Sequence, residues 1–284
     1  MKINRIEPDT HEYLQITECI AKKPKAFFYK GTLPEIRIPS VAIVGTRKPT
    51  AYGKEVARRV ASELAKEGVV IISGLAFGID SIAHRACLEV GGRTIAVLAN
   101  SVDHIYPRNH QALAQQIIES GGAVLSEYEP PLEARSFQFL ERNRIVSGLA
   151  DAVIIIEAAA RSGTLNTASH ALEQGKELFA VPGNITSPLS SGCNTLIRQG
   201  AHPLLSSKDV LDILLPQAHT QQPLPLAQSP LEATILELLS QGIRDGDQLQ
   251  QLSGMPAGEF SQTLTLMELN GTIRALGANQ WTTG

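Results

Sequence analysis

Cysteine is scarce in this chain of 284 residues: Cys19, Cys87 and Cys193 lie far apart, with no CxxC and no paired spacing. That argues against a disulfide framework or a zinc site and for a reducing compartment. A basic excess is also lacking. The formal net charge is -3, so any anion binding must come from local geometry and not from bulk charge. No apolar run reaches membrane-spanning length, and the opening MKINRIEPDTHEYLQ has no apolar core of a signal peptide. The expectation is a cytoplasmic protein with no membrane partner. Internal repeats are absent, and no G-x-G-x-x-G follows the first apolar run, which disfavours a dinucleotide enzyme.

What is present is an ordinary globular balance, 43% hydrophobic and 19% charged, enough to bury a core in one large and one small domain. From residue 41 onward short apolar runs (VAIVG, VVIIS, TIAVL, AVLS, AVIII, LFAV, PLL) alternate with stretches of helical period at 53–67, 79–90, 109–120, 138–149, 164–175 and 192–200. The runs are apolar on both faces, as in strands covered by helices on both sides. This pattern predicts an α/β fold, an extended Rossmann-like, doubly wound, mostly parallel sheet over 41–215. Its ligands belong beyond the carboxyl ends of the strands. Residues 1–40 read as a lead-in, with a strand or packed arm around Phe27. Residues 216–230 are Pro- and Gln-rich and uncharged, the signature of a linker. Over 231–284 three apolar helical stripes precede a turn at Asn270-Gly271 and a hairpin, a winged-helix layout.

The candidate site residues fall at predicted strand ends. Gly45, Thr46, Arg47 and Lys48 follow the first strand, where a guanidinium fork and a hydroxyl suit phosphate. Tyr52-Gly53-Lys54 then opens a helix whose N–H groups favour anions. A plain strand-to-helix turn with a surface arginine is the alternative. Gly74 and Gly78 flank a tight loop after the second strand. Asp80 can cap the next helix, and His84 shares its face. The pair reads as a structural hydrogen bond that fixes the loop, with a catalytic pair as the alternative. Arg108 starts a helix after the third strand. Phe137, Phe139, Arg142, Asn143 and Arg144 interleave rings with cations, a combination suited to base stacking and phosphate contact, or else to core packing and ion pairing. Ser162, Gly163 and Thr164 open a helix after the fifth strand as a nest for an anion. Each motif alone is weak; the fold gathers them on one edge.

Taken together, the runs VAIVGTR, SGLAFGIDSIAH, TIAVL, YPRN, RNRIVSGLADAVIIIEAAARSGTLNTA and FAVPGNITSPLSSGCNTLIRQGA closely resemble the DNA-processing protein A family, also called DprA or Smf. The resemblance spans roughly residues 35 to 215, and the C-terminal segment looks like the family's winged helix. It implies binding of single-stranded DNA in a basic pocket, a homodimer, and loading of the recombinase RecA in natural transformation. It also points to the stretch from Leu196 to Leu205 as the dimer surface. The sequence departs from the family at Ala99-Asn100-Ser101, where glycines are usual, and at Leu140, where proline is usual.

No metal, cofactor or catalytic residue is expected. The competing class is a nucleotide-processing enzyme, since related Rossmann proteins include phosphoribohydrolases; Glu157 and Asp80 would be its acid/base groups. For the winged helix, residues 231–284 hold 2 basic and 6 acidic residues, and 256–269 contains no Lys or Arg. Duplex binding needs cations, so a protein-interaction or regulatory role is expected there.

Overall fold

The computed structural model describes residues 2–215 and 229–283. It divides into two compact units, with the boundary between Pro216 and Gln217. The expected linker at 216–230 lies, apart from its last two residues, outside the described residues.

The first unit is built on a nine-stranded sheet. Strands β1 (Asn4–Ile6) and β2 (Phe27–Gly31) precede β3 (Ser40–Val44), β4 (Val70–Ser73), β5 (Thr94–Val97), β6 (Ala123–Ser126), β7 (Ala152–Ile155), β8 (Glu177–Ala180) and β9 (His202–Pro203). The spatial order is β1-β2-β6-β5-β4-β3-β7-β8-β9. From β6 to β9 all neighbours pair in parallel, while β1–β2 and β2–β6 are antiparallel. Every residue of β3 to β7 is buried, which is why these strands read as unbroken apolar runs.

Helices cover both faces. On one lie α4 (Ser136–Leu149), α5 (Gly163–Glu173) and α6 (Ser191–Arg198), where Ile145, Leu149, Ala168, Ala171 and Cys193 pack on Val44, Val97, Val153 and Ile155. On the other lie α1 (Ala51–Lys66), α2 (Ile79–Glu89) and α7 (Ser207–Leu214), packed through Val60, Leu64, Ala83 and Val210 on Ile43, Ile71 and Ile154. Helix α3 (Gln111–Glu119) covers Ala96, Leu98 and Val124 on the flank. Burying two faces of one sheet is the dominant stabilising term, at roughly 25 cal/mol per Å² of apolar surface.

Two expectations need correction. Residues 1–40 are no mere lead-in: β2 pairs with β6, and Tyr13, Leu14 and Phe27 are fully buried in the main core. Helix α7 was not expected at all, although Ser206 and Asp209 form a capping box at its start.

The second unit has α8 (Pro230–Ser240), α9 (Gly246–Ser253), α10 (Ala257–Leu269) and a hairpin of β10 (Ile273–Gly277) and β11 (Gln280–Thr283). Ile235, Leu239, Leu249, Phe260, Leu264, Met267 and Ile273 form its core. Leu266 and Leu269 of α10 lie outside this core and are exposed; Leu269 is 77% accessible.

Candidate nucleic-acid interface

The sheet order reverses at β3. Strands β4, β5 and β6 lie to one side of it, β7, β8 and β9 to the other. Loops leaving β3 and β7 therefore diverge and leave a crevice at their carboxyl ends, the place where doubly wound sheets bind ligands. A cavity of about 700 Å³ opens there. Gly45, Thr46, Arg47 and Lys48 line it from β3, Ser162, Gly163 and Thr164 from the start of α5, and Phe139, Arg142 and Asn143 from α4.

The loops are locked against each other. Gly78 has φ +79°, and a Cβ there would lie 2.4 Å from the Thr46 carbonyl oxygen, so only glycine lets the β4–α2 loop meet the β3–α1 loop. The Ile79 amide donates to that same carbonyl at 3.2 Å. Asp80 Oδ2 accepts from the Gly74 and Ala76 amides at 3.1 and 3.3 Å, which holds the loop's shape. His84 does not bond to Asp80; its Nδ1 lies 2.7 Å from Thr94 Oγ1, in the core. The residues of the expected Asp80–His84 pair thus have separate partners. Helix geometry puts residues four apart on one face, but here Asp80 turns back to the amides of its own loop.

Arg142 forms the floor. It is 5% exposed, and its Nη1 donates to the carbonyl of Gly74 at 2.7 Å and to that of Val97. Burial holds its pKa down at about 10, against the pull of Asp80. Burial also raises the Asp80 carboxyl, countered chiefly by Arg142. Above this floor Arg47 is exposed, and its guanidinium stands 5.4 Å from the centroid of the Phe139 ring. Lys48 and Arg161 are exposed at the rim. Arg161 also lines the cavity, and its place directly before Ser162 is the signal in the sequence that points to it.

Not every expected donor faces the cavity. The Thr46 amide is taken by the Glu157 carbonyl at 2.8 Å. The start of α1 already has its anion: Glu157, 3% exposed, accepts from the Thr50 amide at 2.9 Å and from the Thr50 hydroxyl at 2.5 Å. Ser162 caps its own helix by accepting from the Thr164 amide at 3.2 Å. Asn143 Nδ2 is directed at the Gly163 carbonyl, 3.4 Å away, and at Asn166 Oδ1, 3.2 Å away.

Five expected residues lie outside the lining. Gly74 and Gly78 shape the loops instead. Arg108 is exposed on the short turn Arg108–His110, two residues beyond Tyr106. Phe137 is 53% exposed on the first turn of α4. Arg144 is the clear correction: it points to the opposite side of α4 and pairs with Glu127 at 2.6 Å, on the wall of a separate cavity of about 550 Å³. Two residues along a helix is a rotation of about 200°, so Arg142 and Arg144 cannot share a face.

These features define a class: a Rossmann-type domain with Arg47, Lys48, Arg142 and Arg161 at its switch-point crevice. The chain belongs to the DNA recombination-mediator protein A family, whose model matches residues 4–215. Residues 218–279 match the DprA winged helix domain. Protein Smf of Escherichia coli is 39% identical over 262 residues, 89% of this chain and 70% of the relative. DNA processing protein DprA of Bacillus subtilis is 40% identical over 220 residues, 77% of this chain and 73% of the relative. Among solved structures, DNA processing protein A from Streptococcus pneumoniae superposes with a TM-score of 0.69 at 40% identity, covering 75% of each chain. The protein from Helicobacter pylori, described for its single-stranded DNA binding mode, superposes with a TM-score of 0.67 at 34% identity, covering 76% of this chain and 97% of that one. Among the described residues no helix is long and apolar enough to cross a membrane.

Proposed function

We propose that the α/β unit binds single-stranded DNA in the crevice between β3 and β7 and performs no covalent chemistry on it. One observation carries this: in a chain of net charge -3, Arg47, Lys48 and Arg161 converge with the start of α5 on a single cavity. Cations gathered in one cleft hold backbone phosphates whatever the net charge. Phe139, under the Arg47 guanidinium, is the ring on which a base stacks, and such stacking tolerates any sequence. Arg108 and Phe137 are outer contacts in this reading, and Arg144 is not a contact. Duplex DNA is disfavoured, because its paired bases cannot reach the ring. The Helicobacter pylori relative supports the ligand class.

The biological role we infer is protection of incoming DNA and loading of RecA onto it in natural transformation and recombination, by a cytoplasmic homodimer. Family membership supports this role. The dimer surface suggested by resemblance needs trimming: Leu196 and Leu204 are core residues, and Leu205 is the exposed one.

The enzymatic reading loses its main group, because both Glu157 oxygens are engaged in capping α1. Incubation with nucleoside monophosphates tests it; free base released in a Glu157-dependent way would favour an enzyme. The direct test is anisotropy of a labelled oligonucleotide, single-stranded against duplex, across a salt series. The single strand binds more tightly, with the logarithm of its affinity falling linearly in log salt; equal or tighter duplex binding refutes the proposal.

A further inference from the structure

The same edge of the sheet carries aromatic surface that the cavity does not use. Phe139 forms the cavity wall, and its ring meets that of Tyr106 just outside, with centroids 5.4 Å apart and planes at 57°. Tyr106 is nonetheless 49% exposed. Phe77, in the loop after β4, is 46% exposed and stands edge-on to His110, with centroids 4.8 Å apart. The two segments are tied together, since His110 Nδ1 lies 2.8 Å from the Leu75 carbonyl oxygen. Two residues beyond Tyr106, Arg108 is exposed and makes no ion pair among the described residues. Two adjacent rings, Phe139 and Tyr106, therefore lead outward from Arg47 at the cavity to the segment that carries Arg108.

Rings of this size left half in water lose much of the benefit of burial. Rings held rigidly beside guanidinium groups on one rim are what an unpaired strand needs, with faces for bases and donors for phosphates. We propose that Tyr106 and Phe77 form a second stacking platform that continues the strand's path from the β3–β7 crevice across the carboxyl ends of β4 and β5 toward Arg108. This rests on the single-stranded DNA reading above and adds a direction to it: the strand leaves the cavity toward β5 and not toward β8. The ligand is unpaired nucleic acid of any sequence, because every base offers a π face.

The platform makes affinity depend on length and on the presence of bases. The test uses the full chain with labelled oligothymidylates of about four and about fifteen nucleotides, and an abasic strand as long as the longer one. Tyr106→Ala and Phe77→Ala each weaken binding of the long oligothymidylate on the order of tenfold. They leave the short one, held by the cavity, within about twofold, and leave the abasic strand unchanged. Tyr106→Phe retains wild-type affinity for all three. Equal loss at both lengths, loss on the abasic strand, or no loss at all overturns the platform while leaving the cavity reading intact. A wild-type chain that binds no oligothymidylate overturns both.

Discussion

The Arg142 guanidinium fills the space a side chain at residue 74 would need: a Cβ built on Gly74 would lie 2.4 Å from Nη1. Arg142 thereby ties the carboxyl ends of β4 and β5 together beneath the cavity. Its main work is structural. Arg142→Ala should cost about 1–3 kcal/mol of folding free energy for each of the two buried carbonyls left without a donor, and it removes the charge that offsets Asp80. Urea denaturation measures this, and a loss below about 1 kcal/mol would show the arginine to be a ligand group alone.

Arg47 is the opposite case. It is exposed and makes no ion pair among the described residues, so Arg47→Ala should change stability by no more than about 0.5 kcal/mol. Binding to single-stranded DNA should fall about tenfold or more, at roughly 1.5–3 kcal/mol for a charge-assisted contact. The salt slope should shrink by about 0.7 for one phosphate released. A folded variant with unchanged affinity removes Arg47 from the site.

Arg144→Ala separates the two faces of α4. The side chain pairs with Glu127, turned away from the crevice, so oligonucleotide affinity should stay within about twofold while stability drops. Loss of affinity at constant stability would put Arg144 back at the interface.

Much of this arrangement was legible in the sequence, for physical reasons. Strands buried on both faces write themselves as apolar runs, and helices between them as amphipathic periods, so β3 to β8 and their covering helices could be read directly. The crevice followed from parallel topology. Less legible was everything set by side-chain direction. Sequence placed Arg142 and Arg144 in one motif, but helical rotation sends one to the crevice floor and the other to a different cavity. Donors around the crevice are consumed locally, the Thr46 amide by the main-chain carbonyl of Glu157 and the Thr50 amide and hydroxyl by its buried carboxylate. Strand β1 is three residues long and half exposed, too short to carry a period, whereas α7, though short, is amphipathic and opens on the Ser206–Asp209 cap, a signal the sequence did carry.

His84 gives a pH dependence. It is fully buried, and burial, with His110 and Arg142 nearby, lowers its pKa from 6.5 to about 3. The folded state therefore holds it neutral while the unfolded chain binds its proton below pH 6.5. Its contribution is fully present above that value and is lost as pH falls toward about 3, by up to about 1.4 kcal/mol per pH unit. Asp80, raised by burial, acts in the other sense: stability falls as pH rises above the ordinary carboxylate value. His84→Gln should flatten the urea-measured slope between roughly pH 6.5 and 5. An identical slope in both proteins would mean that the ring titrates normally in the fold.

The second unit has the helices and hairpin of a winged helix but not the charge of a duplex reader. Phosphate neutralisation supplies most of the affinity of such domains, and it scales with the number of Lys and Arg at the surface. Here α10, in the position of a recognition helix, presents Glu259, Glu268 and the exposed Leu266 and Leu269, with no cation. Arg244 and Arg274 are the two basic residues of 231–284, against six acidic ones. An exposed apolar and acidic face suits contact with a protein surface better than with a polyanion. A chain ending at residue 216 should therefore keep its affinity for single-stranded DNA within about twofold of the full chain at each salt concentration. The full chain should bind duplex no better than the truncated one. If restoring 217–284 adds duplex affinity with a steep salt slope, this unit reads DNA through contacts that its composition does not predict.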